Sequence, residues 1–305
     1  MTDATALRQW YADDLRVRAP VRRNMAIVEA FAAVPRERFL GPPPWRVLSD
    51  RCPGQPFQTT PDGDPRWIYH DVLVTIDETR TLNNGAPSLW AASFDQLNLR
   101  RGQRILQVGA GTGYYAAVLA EIVGPDGRVV AVECDGDLAA RARNALASWP
   151  NVEAVHGDGR THDPGEVDVV IVCAGATHPA PLWLDRLVAG GQLLMPLTTN
   201  DWWGFLLRVT RGRDADEGLI VLPEARRSRL FAATSIGPVG IFPCAGGRDT
   251  AAAVRLQFAL NELKGAPGRA GIPIEALHRG GPCAEDMGRV WYFGPGFWLE
   301  RKAKS

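Results

Sequence analysis

Three glycines spaced two apart, in Val108-Gly109-Ala110-Gly111-Thr112-Gly113-Tyr114, restrict this chain more than any other feature. They follow the short apolar run from Arg104 to Val108 and precede the apolar stretch from Tyr114 to Val123. A buried strand therefore turns into a helix at this point. Glycine permits the sharp turn and lets a ligand come close to the peptide groups. The helix start behind it offers N–H groups that the helix itself cannot pair. Gly124-Pro125-Asp126-Gly127 stops the helix, and a second buried strand runs from Arg128 to Glu133. Asp135 is placed to cap a helix reaching Ser148.

The same rhythm continues, with strands expected over residues 152–156, 167–173 and 191–196 and a helix over 182–188. Near-continuous β-branched runs alternating with helices imply a mostly parallel sheet covered on both faces. Upstream, residues 4–33 read as helical, and residues 41–67 carry seven prolines, too many for regular structure. A loop of that length belongs to a lid, a binding element or a surface connection. After Asn200 the rhythm breaks. Antiparallel strands are expected over 203–211 and 219–235, a helix over 251–263, and a final aromatic strand over 290–299. Three segments follow from this: an N-terminal helical and loop cover (1–80), an α/β core (81–245) and a C-terminal appendage (246–305).

Composition narrows the function. With 46% hydrophobic residues the chain can bury a sizeable core. Its 34 basic residues balance 34 acidic ones, which removes the broad attraction expected of a nucleic-acid or membrane-surface binder. No run of 18 apolar residues and no signal-like start is present, and the expected location is cytoplasmic. The five cysteines (52, 134, 173, 244, 283) are scattered and never spaced as C-x-x-C, as reduced core thiols would be. The histidines show no ligand spacing, so no metal site is expected.

A dinucleotide site would want a glycine at position 114, which is Tyr. Glycines at 109, 111 and 113 instead resemble the first motif of class I methyltransferases. The wider sequence resembles the protein-L-isoaspartate O-methyltransferase family. Val34-Pro35-Arg36-Glu37-Arg38-Phe39 is similar to its V-P-R-E-x-F signature. Tyr69, Asp71, Ile76, Thr81-Leu82 and Pro87 are similar to its Y-x-D…I…T-I-S-x-P segment, and Gly190-Gly191 before Pro196 continue in register. The resemblance spans roughly residues 10–245. It implies a class I, Rossmann-like α/β fold with an antiparallel edge and S-adenosyl-L-methionine as cofactor. Gly109, Ala110, Gly111, Thr112 and Gly113 would hold the cofactor's backbone-facing side. Glu133 would accept from its ribose diol, and Asp158 with Gly159 would lie near its adenine. The implied acceptor is a carboxylate of a peptide or protein, by default an L-isoaspartyl residue.

The family's serine beside the transferring methyl is missing. Counted forward from Asp71 its place falls on Asn83; counted back from Pro87 it falls on Gly85. Asn83 and Asn84 are candidate substrate-orienting residues, although Asn-Gly also makes a tight turn. Ser88 is the nearest hydroxyl. Losing the serine does not remove the chemistry, because a carboxylate is already ionised at neutral pH and a side-chain amide can donate to it.

Blander roles are expected elsewhere. Asp168 reads as a cap, Cys173 as core, and His70 as a loop residue satisfied by its neighbours. Trp291, Tyr292, Phe293, Phe297 and Trp298 read as packing of the C-terminal piece, and so do Trp202 and Trp203. Two alternatives stand beside isoaspartyl methylation: methylation of a normal aspartate in a dedicated peptide, and a non-catalytic protein that only binds S-adenosylmethionine. The oligomeric state is not legible.

Overall fold

In the computed structural model, residues 3–49, 56–80, 82–212, 231–263 and 271–303 are described. Cys52, Thr81 and residues 219–230 of the expected strand lie outside the described residues. The chain forms two units, one from residues 1–104 and 110–157, the other from 105–109 and 158–305. The fold is α/β and Rossmann-like.

In the first unit, α1 (Ala4–Arg18) and α2 (Ala26–Ala33) replace the single helix expected from the sequence. Pro20 falls in the break. The Asp95 carboxylate accepts the backbone N–H groups of Arg22, Arg23 and Asn24 there, at 3.3, 2.8 and 3.0 Å. The proline-rich stretch does contain regular structure. β1 (Arg46–Leu48), β2 (Gln58–Thr59), β3 (Leu73–Asp77) and β4 (Leu82–Asn83) form a small antiparallel sheet in the order β2-β1-β3-β4. These strands are two to five residues long and depend on partners distant in sequence, which no local pattern announces. α3 (Pro87–Leu97) follows, with Pro87 at its first position, where no N–H is needed.

β5 (Arg104–Val108) leads into the glycine loop, α4 (Tyr114–Val123), β6 (Arg128–Glu133), α5 (Gly136–Ala145) and β7 (Val152–His156). These agree closely with the expected elements. Asp135 caps α5 by accepting from Leu138 N–H at 2.9 Å. β6 and β7 pair in parallel. Behind the glycine loop, Tyr11, Phe31, Phe39, Phe94, Tyr114 and Tyr115 pack edge to face in one aromatic core, with Trp90 tilted against Phe94 and Tyr115.

The second unit is a sheet in the order β5-β8-β9-β10-β11-β12-β14-β13. β8 (Val167–Val172) lies parallel to β5 and to β9 (Leu187–Thr198). From β9 outward the pairing is antiparallel, through β10 (Trp203–Arg211), β11 (Phe231–Gly240) and β12 (Ile274–Arg279) to β13 (Val290–Gly294) and β14 (Phe297–Arg301). The helix expected over 182–188 is shorter: α6 (Pro181–Asp185) ends early, and Leu187 already pairs with Val167. The single strand expected over 290–299 is a hairpin, turned at Pro295-Gly296. α7 (Thr250–Leu263) buries Ala252, Ala253 and Leu256. Trp291, Tyr292, Phe297 and Trp298 are buried as expected. Trp202 and Trp203 are not: they stand 44% and 61% exposed. Among the described residues no helix is long and apolar enough to cross a membrane.

Candidate functional site

The glycine loop is built as its sequence demands. Gly111 and Gly113 adopt φ of +57° and +95°, conformations that a side chain disfavours. A side chain at 113 would also strike Leu146 Cδ1 at 2.8 Å, whereas the space where one would project from Gly111 is open. The loop is closed by the bond from Gly113 N–H to Ala110 O at 2.9 Å, and Ala110 N–H reaches Val132 O at 3.1 Å.

Glu133 ends β6 and sets this loop from behind. Its carboxylate is buried; Oε2 accepts Gly111 N–H at 2.7 Å and Oε1 accepts Asp135 N–H at 3.0 Å. Oε1 also accepts the Cys134 thiol at 3.5 Å, which leaves Oε2 with a lone pair for a hydroxyl donor. The Thr112 hydroxyl is buried and, among the described residues, has no hydrogen-bond partner. Buried polar groups are normally paired, so one left over at a glycine turn marks a place for a ligand's polar group. An open backbone face at Gly111, a buried acid and an unmatched hydroxyl are the donor and acceptor set that a ribosyl sulfonium cofactor needs.

The candidate acceptor-side residues lie in the same unit. Asn83 Oδ1 accepts Gly85 N–H at 2.8 Å, so the tight turn expected of Asn-Gly is made. Asn84 is buried, its N–H bonded to Val74 O at 2.8 Å and its Oδ1 accepting Arg36 Nε at 3.4 Å. Ser88 is the second residue of α3, and its N–H is held by Asp71 Oδ1 at 2.9 Å. Tyr115, in the first turn of α4, donates its hydroxyl to Gly85 O at 3.2 Å. The turn is thereby fastened to the helix that follows the glycine loop.

Arg36 is the residue that sequence reasoning missed. It is fully buried, donating Nη1 to Ile68 O (2.7 Å) and His70 O (3.1 Å) and Nη2 to Val72 O (2.8 Å). Tyr69 donates to the Glu37 carboxylate, and its own oxygen accepts Arg36 N–H at 3.2 Å. Burial and the Glu37 carboxylate together push the Tyr69 phenol well above its ordinary pKa. The V-P-R-E signature therefore clamps residues 68–72, a role its family resemblance alone did not indicate. At the other side of the loop, Arg80 pairs with both Asp77 and Asp135, joining the β3–β4 hairpin to the cap of α5.

Gly109, Asp158 and Gly159 belong to the second unit. A side chain at 159 would meet Val108 Cγ1 at 2.6 Å, so that glycine is required by the strand end before Gly109. The Asp158 carboxylate is held by Arg160 through Nη2 at 2.6 Å and by Arg160 N–H at 2.9 Å, and these bonds keep its pKa low. A depression of about 900 Å³ in the first unit, lined by Arg38, Glu121 and Trp149, opens at Gly124–Arg128. That is the opposite end of α4 and β6 from Gly111, and it is not where the glycine loop would seat a ligand.

Comparison with known sequences decides the family. Residues 58–218 match the profile of protein-L-isoaspartate(D-aspartate) O-methyltransferase. This chain belongs to that family. The protein-L-isoaspartate O-methyltransferase of Methanothermobacter thermautotrophicus is 34% identical over 171 residues, 54% of this chain and 76% of that one. The same-named protein of Ignicoccus hospitalis is 31% identical over 203 residues, covering 65% and 84%. A solved protein-L-isoaspartate O-methyltransferase superposes with a TM-score of 0.62 at 19% identity, over 97% of this chain and 88% of that one. A Plasmodium falciparum protein solved with S-adenosyl-L-homocysteine gives 0.55 at 16% identity, over 78% and 97%. These two show the shared fold.

Proposed function

We propose that this chain transfers a methyl group from S-adenosylmethionine to the side-chain carboxylate of isoaspartyl residues in peptides or proteins. The observation that carries this reading is the buried Glu133 carboxylate, bonded to Gly111 N–H at the end of β6, in a chain of this family. Gly111, Thr112, Gly113 and Glu133 are the first unit's residues for the cofactor. When bound, S-adenosylmethionine supplies an electrophilic methyl group carried on a sulfonium.

The acceptor needs no base. A carboxyl group with a pKa of about 4 is ionised at neutral pH, so the chain's task is to orient it and exclude water. Positioning of this kind lowers a barrier by roughly 7–11 kcal/mol. Asn83 is proposed as the orienting donor in place of the family's serine. Its Oδ1 is already taken by Gly85 N–H, which aims the amide NH2 as the donor end. Asn84 supports it through Arg36, and Ser88 through the cap at Asp71. Residues 1–80 serve as the substrate cover and 246–305 as an appendage that bears on substrate choice. Balanced charge and scattered cysteines support a cytoplasmic enzyme without a nucleic-acid partner.

The altered Asn83–Gly85 turn favours one second reading, methylation of a normal aspartate in a dedicated peptide. Labelled S-adenosylmethionine offered with paired isoaspartyl and aspartyl peptides tests both. Label on the isoaspartyl peptide alone supports repair-type methylation. Label on the aspartyl peptide alone supports the second reading, and label on neither, with cofactor bound, overturns both.

A further inference from the structure

The small sheet of the first unit opens at one end. β1 and β3 pair at Val47–Val74 and Leu48–Leu73, and toward residue 46 the ladder stops. The next positions in that register are Arg46 and Thr75, which share one face of the sheet at its rim. Beyond them the chain turns away through Pro42, Pro44 and Trp45. A cavity of about 340 Å³ lies between this turn, Ile76 and Arg141 of α5. Small-molecule sites measure about 300–1,000 Å³. Every residue that lines it belongs to the first unit.

The polar groups here are donors. The Thr75 hydroxyl and Arg46 Nε are shut off from solvent, and among the described residues neither has a hydrogen-bond partner. Buried polar groups are normally paired, so two orphans on neighbouring positions at one cavity mark a place for a ligand's acceptor atoms. The rest of Arg46 is engaged: Nη1 pairs with Glu78, and Nη2 donates to Phe57 O at 3.0 Å.

Arg141 is the third donor. It is half-buried, and among the described residues its guanidinium makes neither a hydrogen bond nor an ion pair. Gly41, at φ +83°, carries the chain past it, and a side chain at 41 would lie 3.6 Å from Arg141 Nη2. The Gly41 carbonyl is itself taken, by Trp45 Nε1 at 3.1 Å. No carboxylate is among the described residues that line the cavity. Glu78 offsets the charge of Arg46, and Arg141 leaves the cavity net positive. Pro42, Pro44, Trp45 and Ile76 add an apolar wall.

We propose that this cavity binds the phosphate group of a small phosphomonoester. Arg141, Arg46 Nε and the Thr75 hydroxyl donate to its oxygens, and the apolar wall receives the body that carries it. Donors from three residues suit a tetrahedral oxyanion better than a planar carboxylate, and a guanidinium fork matches phosphate oxygens. The site goes beyond the methyl-transfer reading, and its test needs no methyl transfer.

The full chain is titrated by calorimetry with phenyl phosphate, inorganic phosphate and benzoate, and the assigned Trp45 indole N–H signal is followed by NMR. Phenyl phosphate should bind one to one and shift the Trp45 signal. Inorganic phosphate, which lacks the apolar body, should bind more weakly, and benzoate more weakly by about tenfold. Arg141→Gln should raise the Kd for phenyl phosphate by about tenfold or more. Thr75→Val keeps the shape and removes the orphaned hydroxyl, so it should weaken binding while the urea midpoint of the free protein holds or rises. Arg143→Gln, at an exposed position on α5, should bind as the wild type does. Absence of phenyl phosphate binding, binding that leaves the Trp45 signal unmoved, or full affinity in folded Arg141→Gln overturns the site. Benzoate binding as tightly as phenyl phosphate overturns the assignment to phosphate.

Discussion

The Tyr115 hydroxyl donates to the Gly85 carbonyl at 3.2 Å, so the helix behind the glycine loop and the Asn83–Gly85 turn share one bond. On the proposed function, this one phenol joins the cofactor side to the acceptor side. Tyr115→Phe keeps the ring contacts with Phe31, Trp90, Phe94 and Tyr114 and removes only the hydrogen bond. Urea denaturation should show a loss of about 0.5–1.5 kcal/mol. The acceptor peptide's KM should rise while the S-adenosylhomocysteine Kd stays put, and a change confined to cofactor affinity would refute the coupling.

Glu133→Gln replaces one carboxylate oxygen by an NH2 that faces a backbone N–H. One of Gly111 N–H and Asp135 N–H then loses its acceptor, costing about 1–3 kcal/mol. Calorimetry with S-adenosylhomocysteine should record affinity down by about tenfold or more. Undiminished affinity would remove Glu133 from the cofactor site.

Arg36→Met leaves the carbonyls of Ile68, His70 and Val72 without their donor. At about 1–3 kcal/mol for each orphaned group, the loss should exceed about 3 kcal/mol. Local protection of residues 68–72 from hydrogen exchange should fall further than that of β6 and β7. A uniform small loss across the first unit would mean that the clamp is not local.

Acid should release the β3–β4 hairpin late. Asp77 accepts from the Thr79 hydroxyl and from Arg80, and these bonds pull its carboxyl pKa down to about 2. A folded pKa below the ordinary value of about 3.9 contributes stability that is complete above that value. It is lost as pH falls through about 2. Carboxyl-carbon NMR of Asp77 should titrate near the lower value. Asp77→Asn should flatten the pH dependence of unfolding in that window, and a midpoint at the ordinary value would show the bonds to be absent in solution.

Gly159→Ala drives a methyl to within 2.6 Å of Val108 Cγ1. Overpacking of this kind costs about 1–3 kcal/mol. Adding Val108→Ala should recover part of it, so the double variant should lose less stability than the two single losses added together. Simple additivity in chemical denaturation would show that residue 159 does not press on 108.

Where local chemistry decides the structure, the chain was legible. The glycine loop, the Asp135 cap, β5 to β7 and the family itself follow from neighbours in sequence. What escaped reading depends on distant partners. β1 and β2 exist because β3 pairs with β1 from 25 to 27 residues away in register (Val47 with Val74, Leu48 with Leu73), and β12 was missed for the same reason. Arg36 was invisible as a hub because its acceptors are carbonyls over thirty residues on. Trp202 and Trp203 misled because adjacent tryptophans usually signal burial, and the strained backbone that exposes them leaves no mark on composition.

The Arg36 clamp grips residues 68, 70 and 72 by main-chain oxygens, which every amino acid possesses. At the exposed His70 the grip asks nothing of the side chain, whereas Tyr69 and Asp71, between the gripped residues, are held through theirs. Descendants of the chain can therefore vary residue 70 and inherit the same main-chain scaffold, while 69 and 71 stay tied to their partners.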